Sequence, residues 1–485
     1  MKRIAQSALD TATQRGATYA DVRIVDERNR ALTTKNGKVG GAYDSESLGI
    51  GIRVIANGAW GFAAVDDLSR GAVEAVAARA VEIAKASATV KSQELRIAPE
   101  KPAVADWSSP CEIEPFATSM AENIDNLLAI DRELMAVQGV TLAEANLNFR
   151  RYDQWFCSSE GADIHQLRTT TGAGFAAYSF EGTEIQKRSY PNSFGGQYQN
   201  KGYELIAELK LLENARRIGE EAVALHQAAS PPHGKMTVVL DSSQLGLQIH
   251  ESVGHPIELD RVLGMEANFA GTSFLTVDKL RNLRYGSSLV NVVADATPAH
   301  GPGLGTFAYD DEGVAAQRIP IITHGDFTGY ISSRETAHTI GEKRSNGAMR
   351  AEGWNRLPLI RMTNISLLPG EKPLSLAELI SSTDEGIYMQ TNRSWSIDDK
   401  RYNFQFGCEI AWEIKGGKLG RMIKNPSYSG ITTEFWNSMD AVCSRDEWTL
   451  WGTPNCGKGQ PQQVMGTGHG AAPARFRNIK VGSAG

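Results

Sequence analysis

The sequence predicts an α+β protein, with an N-terminal mixed sheet packed with helices and a β-rich C-terminal domain after it. Three observations point there. Apolar residues at the start of the chain recur at three- and four-residue spacing, as on the buried face of a helix. Short β-rich runs follow, separated by Asn-Gly pairs that suit tight turns between strands. Past the middle of the chain, glycine and strand-like runs dominate. With 485 residues, 41% hydrophobic and 22% charged, the composition is that of a globular protein with a large buried core.

Taken in order, Ile4, Ala5, Ala8, Leu9 and Ala12 mark an opening amphipathic helix. From Ala20 to Val65 the runs around Val22–Val25 and Leu48–Ile55, punctuated by Asn36-Gly37 and Asn57-Gly58, read as a meander. Ser69 is an N-cap, and Val73, Val76, Ala77, Ala80, Val81 and Ala84 form a helical stripe that should lie across that sheet. A helix over 115–137, alternating β segments over 140–190 and one long helix over 203–226 complete the first half. The stretch Ala228-Ala-Ser-Pro-Pro-His-Gly234 breaks the preceding helix, because consecutive prolines cannot continue it. The domain junction is placed there, giving domains of 1–230 and 231–485. Met236–Leu240 and Cys408–Ile414, the latter running toward Gly416-Gly417, are strands of the second domain.

Composition excludes several function classes. Lys and Arg number 50 against 56 Asp and Glu, a net charge of −6, which argues against a nucleic-acid binder that needs a basic stripe. The five cysteines are scattered and contain no C-x-x-C pair, so a disulfide scaffold is not expected. Gln6, Ser7 and Asp10 interrupt the apolar positions at the N-terminus, unlike a secretory signal, and no uncharged apolar run of about 18 residues offers a membrane span. The expected compartment is the cytoplasm.

Chemistry concentrates in Leu240-Asp-Ser-Ser-Gln-Leu-Gly-Leu-Gln-Ile-His250-Glu251-Ser-Val-Gly254-His255-Pro256, a strand, a capped turn and a short helix ending at proline. It contains H-E-x-x-x-H. Two neutral imidazoles can bind Zn²⁺, and a carboxylate beside the first can take a proton from a metal-bound water. Chance supplies about 0.01 such motifs in a chain of this composition. The spacing has a geometric consequence: at about 100° per residue, positions five apart lie about 140° from each other around a regular helix. A π-bulge would bring them onto one face. Gly254 gives latitude for it, and Pro256 biases His255 away from the α region, so the helix should loosen there.

A catalytic zinc takes a third protein ligand. Cys456, Cys408, Cys443, Glu258, Asp260 and His469 are the candidates. Cys456 sits in a Gly/Pro-rich segment, Gly452–Pro461, read as a loop, whereas Cys408 lies in an apparent strand where a structural thiol is expected. Glu258 and Asp260 either bond the outer nitrogens of the imidazoles or cap a turn. Asp310-Asp-Glu-Gly313 lacks EF-hand spacing and reads as a polar turn or subunit contact. Gly301–Gly305 lacks the P-loop pattern. Gly466–Gly470 reads as a flexible loop in which His469 binds substrate or an oxyanion at most. Lys343, Arg344 and Arg350 read as a solvated or peptide-facing surface.

His250-Glu-Ser-Val-Gly-His-Pro-Ile-Glu-Leu-Asp-Arg261 closely resembles the metal motif of the TldD/PmbA metalloproteases, in particular the catalytic TldD type. Asp310–Gly313, Arg356–Asn364, Gly417–Gly420 and Cys456–Pro461 resemble family segments in the expected order. The resemblance implies one Zn²⁺ per chain held by His250, His255 and Cys456, in the β-rich domain, with Glu251 activating the attacking water. It also implies unfolded or flexible peptides as substrates, including leader or pro segments, and a dimer, either of two copies or with a related TldE/PmbA-type subunit lacking the metal motif. Two other readings stand beside the zinc peptidase: a non-proteolytic modulator or assembly subunit, and a zinc amidohydrolase acting on a small amide.

Overall fold

The computed structural model describes residues 1–92 and 94–483. Its first half is built on long antiparallel strands. Strand β1 (Tyr19–Lys35) pairs along its whole length with β2 (Lys38–Ala56), and β3 (Ala59–Val65) extends the meander. Both connecting turns carry positive φ at Asn and Gly, 49° and 72° at Asn36-Gly37 and 52° and 72° at Asn57-Gly58, the backbone a type I′ hairpin turn requires. With β4 (Val104–Ser108), β5 (Leu142–Ser158) and β6 (Asp163–Glu181) the sheet order is β3-β2-β1-β5-β6-β4, and β7 (Glu184–Tyr190) and β8 (Gln197–Gln199) also pair with β6.

Period-two alternation gives this sheet two unlike faces. Ala20, Val22 and Ile24 of β1 pack with Ile50, Ile52 and Val54 beneath α1 (Lys2–Gln14) and α2 (Arg70–Ser87). Further along the same face, Ala143, Ala145, Leu147 and Phe149 pack beneath α3 (Met120–Met135) and α5 (Leu211–Ala224). The opposite face carries Asp21, Arg23, Arg53, Gln154 and Gln166. All five are buried, because the second half of the chain is docked on them.

Two helices differ from the sequence expectation. The helix over 115–137 starts at Met120, where the Ser119 side chain accepts the N–H of Glu122, and Pro115–Ala117 forms a separate 3₁₀ turn. The helix over 203–226 is broken at Lys210, which adopts φ 49°, so α4 (Glu204–Leu209) and α5 are separate helices. Apolar periodicity persists through such a break and conceals it.

The second half is β-rich. Strand β9 (Gly234–Leu240) lies between Glu385–Ile397 and Ala474–Ser483, and the order continues through Pro426–Ile431 to Asn403–Lys415. Asn403–Lys415 pairs back onto Glu385–Ile397, so the sheet closes on itself. Helix α6 (Ser242–Ile249) leaves the end of β9 through Asp241, whose carboxylate accepts the N–H of Ser243. A separate hairpin joins Thr449–Lys458 to Gln463–Ala471. Among the described residues, no helix is long and apolar enough to cross a membrane.

Asp310-Asp-Glu-Gly313, expected as a polar turn or subunit contact, is buried at the seam within the chain. Arg53 pairs with Asp21 at 2.6 Å and with Glu312 at 3.2 Å, and Gln154 donates to Asp311 at 2.8 Å. Asp310 instead accepts the backbone N–H groups of Glu312, Val314 and Met349, holding the turn in shape. Arg344 is exposed and pairs with Glu100, as a surface residue does. Arg350 departs from the surface reading: it is buried, and its guanidinium donates to the carbonyls of Met362, Gly466 and Leu304.

Candidate metal centre

The helix that starts at Ser242 does not remain α-helical. Residues His250–Gly254 form a π turn closed by a bond from the His255 N–H to the His250 carbonyl, five residues back, followed by a 3₁₀ turn at His255–Ile257. The extra residue per turn offsets the 140° separation of a regular helix, and the two imidazoles meet edge to face with centroids 4.8 Å apart. His255 itself stays in the α region (φ −64°, ψ −44°) despite Pro256. Proline at 256 leaves the Ser252 carbonyl without its helical donor, and the Tyr285 hydroxyl donates to that carbonyl instead. Gly254 is required by packing: a Cβ there would lie 2.1 Å from Sδ of Met362.

Cys456 comes from a strand, not from the loop read in the sequence. Thr449–Lys458 pairs with Gln463–Ala471 with Thr453 opposite Thr467 and Cys456 opposite Met465, so one extra residue is accommodated between them as a bulge containing Pro454. The bulge shifts the alternation by one. Cys456 thereby falls on the face of the hairpin that carries Thr467 and His469. Its Sγ lies 3.8 Å from Nε2 of His255, and one ligand atom from each of His250, His255 and Cys456 falls within 4.8 Å of the others, all three residues buried.

The remaining candidates divide by what they touch. Glu258 accepts from Nδ1 of His255 at 3.1 Å, which turns Nε2 toward Cys456. Asp260 bonds no imidazole. It pairs with the buried ammonium of Lys458 at 2.7 Å, and Lys458 also lies 3.5 Å from Glu258. Lys458 escaped the sequence reading, although its position two residues after Cys456 puts it on the same side of a strand. Cys408 and Cys443 are buried away from the cluster as structural thiols. Gly466–Gly470 is strand, not flexible loop, and His469 stands behind His250. Nδ1 of His469 donates to the Ile365 carbonyl at 3.3 Å, which leaves its Nε2 to accept from Nδ1 of His250 at 2.8 Å. The bare Nε2 of His250 is then the atom free to coordinate.

Electrostatics suit a cation held by neutral rings and a thiolate. Burial pushes His250 down, against the opposing charges of Glu251 and Glu258, and pushes His255 and His469 well below the ordinary histidine value. Burial by itself would raise the Cys456 thiol, but Arg361 and His255 beside it prevail and hold it below its usual value. Oε2 of Glu251, next to His250 in sequence, accepts from Arg401 at 2.6 Å. Arg401 stands at φ 64° in a turn fixed by Asp398, which accepts the N–H groups of Tyr402 and Asn403. Nothing local to Arg401 in the sequence signals this partnership.

With the geometry in view, comparison with known proteins is informative. A family model described as the PmbA/TldA metallopeptidase C-terminal domain matches residues 233–483, and one described as PmbA/TldA metallopeptidase domain 1 matches residues 20–84. A metalloprotease of Methanothermobacter thermautotrophicus is 30% identical over 96% of this chain and 95% of its own length. A metalloprotease TldD homolog of Haemophilus influenzae is 25% identical over 98% and 94%. Among solved structures, TldE from Thermococcus kodakarensis superposes with a TM-score of 0.73 at 15% identity, covering 99% of each chain. A Thermotoga maritima protein described as a candidate modulator of a DNA gyrase gives 0.75 at 17% identity over 99% of each chain. At such identities the two structures speak for the fold alone.

Proposed function

Because the chain belongs to the PmbA/TldD metallopeptidase family, we propose that it is a zinc-dependent peptidase whose metal is held by His250, His255 and Cys456, with Glu251 as general base. The observation that carries this is the meeting of two imidazoles and one sulfur from opposite ends of the second half, within 4.8 Å and out of solvent. The donor set fits the ion: imidazole and thiolate together favour Zn²⁺ over Mg²⁺ or Ca²⁺, and three protein ligands leave a position for water. When bound, the ion would polarise the scissile carbonyl and acidify a water.

The chain's own residues supply the rest. Glu258 and His469 fix which nitrogen of each ring faces the centre. Lys458 at 3.5 Å and Arg261 at 3.8 Å match the charge of Glu258 in the interior, and Lys458 also pairs with Asp260. Arg401 holds one oxygen of Glu251, and among the described residues Oε1 makes no protein hydrogen bond, so that it is placed to take the proton of the attacking water and return it to the leaving amine. Flexible or unfolded peptides, including leader and pro segments, are the substrates we assign. The working assembly is a dimer, of two copies or with a related subunit of the TldE type, and the compartment is the cytoplasm. The division into domains 1–230 and 231–485 completes the proposal.

Metal analysis of the purified chain together with cleavage of an unstructured peptide tests the reading. Near-stoichiometric zinc, with cleavage abolished by chelation and by Glu251→Gln, is the expected result. A metal-free protein that is inactive alone and with a related subunit would contradict it and favour an adaptor.

A further inference from the structure

A second polar feature, a cavity of about 320 Å³ that is not lined by His250, His255 or Cys456, opens at the seam between the halves. One wall is the polar face of the first sheet, with Asn148, Arg150 and Tyr152 on β5 and Arg168 on β6. The other includes Arg350 and Met465. Tyr152 and Arg168 are cross-strand partners, and the guanidinium of Arg168 lies 4.6 Å from the Tyr152 ring centroid, with that of Arg150 at 4.8 Å.

The charges in this cavity do not balance. Arg150 has a carboxylate, Glu27, at 2.8 Å. Among the described residues no protein atom accepts a hydrogen bond from Arg168, whose Nε is enclosed without a partner. Arg350 donates only to neutral carbonyls, and its Nε is likewise enclosed and unpartnered. The buried Tyr152 hydroxyl also lacks a partner. The nearby acid, Asp311, is already taken by Gln154 and the Ala351 N–H. Buried polar groups are nearly always satisfied, and an enclosed cation without a counter-ion is costly. Burial, with Arg168 and Arg361 adding to it, pushes Arg350 down to about 9, and burial also lowers Arg168.

We propose that this cavity is a binding site for a compact oxyanion, a phosphate or carboxylate group, received by Arg168 and Arg350 with the Tyr152 hydroxyl. The guanidinium fork matches both anions. The site is independent of the hydrolytic reading, and either a small phosphorylated molecule or the end of a peptide presents the required group.

Calorimetric titration of the full-length protein with inorganic pyrophosphate, and with an N-acetylated dipeptide and its C-terminal amide, tests the site and separates the sources. Pyrophosphate should bind, with affinity falling about tenfold or more in Arg168→Gln and in Asn148→Asp, which sets a negative charge into the same wall. Competition by the free-acid dipeptide and not by its amide assigns the site to a peptide carboxylate. Lack of competition by either assigns it to a phosphate-bearing molecule. Because a variant can fail by misfolding, a wild-type crystal grown with pyrophosphate supplies the independent reading, with density expected against Arg168. Absence of binding by both anions at about 1 mM, equal affinity in wild type and Arg168→Gln, or density elsewhere overturns the proposal.

Discussion

Two regions of this chain enclose polar groups and treat them in opposite ways. In the His250, His255 and Cys456 cluster, the outer nitrogen of each ring is engaged, by Glu258 or by His469, and the inner atoms converge on one point. Along the seam, Arg53 is matched by Asp21 and Glu312 at one end, whereas Arg168 and Arg350 remain unmatched at the cavity. The difference teaches where to look for ligands. A buried group whose partners are complete serves the fold, and one whose donors or lone pairs all face the same gap marks the place of something else.

Breaking the proposed general base has the largest expected effect. Glu251→Gln should lower peptide turnover by about 10³-fold while zinc content stays at the wild-type level, read by turnover assay and metal analysis on the same preparation. Loss of zinc along with activity would move Glu251 from base to ligand. Disturbing an orienting partner is milder: Glu258→Gln should weaken zinc affinity by about 10- to 100-fold in a chelator competition, since the ring keeps a hydrogen bond but loses a charged acceptor. Unchanged affinity would show that the 3.1 Å contact does not orient His255.

The seam gives smaller effects. Arg168→Gln removes a charge with no hydrogen-bonded counter-ion among the described residues, so thermal unfolding should be unchanged or shift upward by up to about 1 kcal/mol, with zinc content unchanged. A loss of several kcal/mol would mean that Arg168 is structural. Glu312→Gln probes the balanced end through pH. Burial, opposed by Arg53, raises the Glu312 carboxyl above its ordinary 4.5, so the folded state holds that proton more tightly than the unfolded one. The contribution is complete below 4.5 and is lost as pH rises through the folded value. The stability of wild type minus Glu312→Gln should therefore fall as pH is raised from about 4, by at most about 1.4 kcal/mol per pH unit. Denaturant titrations across pH read this slope, and a difference that grows with pH would reverse the assignment.

These contrasts also explain what could be read from the sequence. His250, Glu251 and His255 are local to one another, so their spacing raised the π-bulge as the distortion that would bring the rings together, and the structure forms a π turn there. The meander and its Asn-Gly turns were legible for the same reason. Cys456 reaches the cluster through a one-residue bulge, and a Pro-containing bulge reads as loop in a linear text. His469 sits among glycines that suggested flexibility, yet these glycines belong to a strand packed too closely for side chains. Arg350, a polar position that the sequence assigns to a solvated surface, is buried by contacts with segments distant in the chain, at Leu304, Met362 and Gly466. Long-range contacts, not local propensity, set each of these.

Zinc K-edge X-ray absorption on the purified full-length protein tests the central claim most directly. Two nitrogen neighbours and one sulfur neighbour per bound zinc, with the sulfur signal lost in Cys456→Ser, are the predicted result. A spectrum without sulfur in the wild type, or a sulfur signal that survives that substitution, would contradict it.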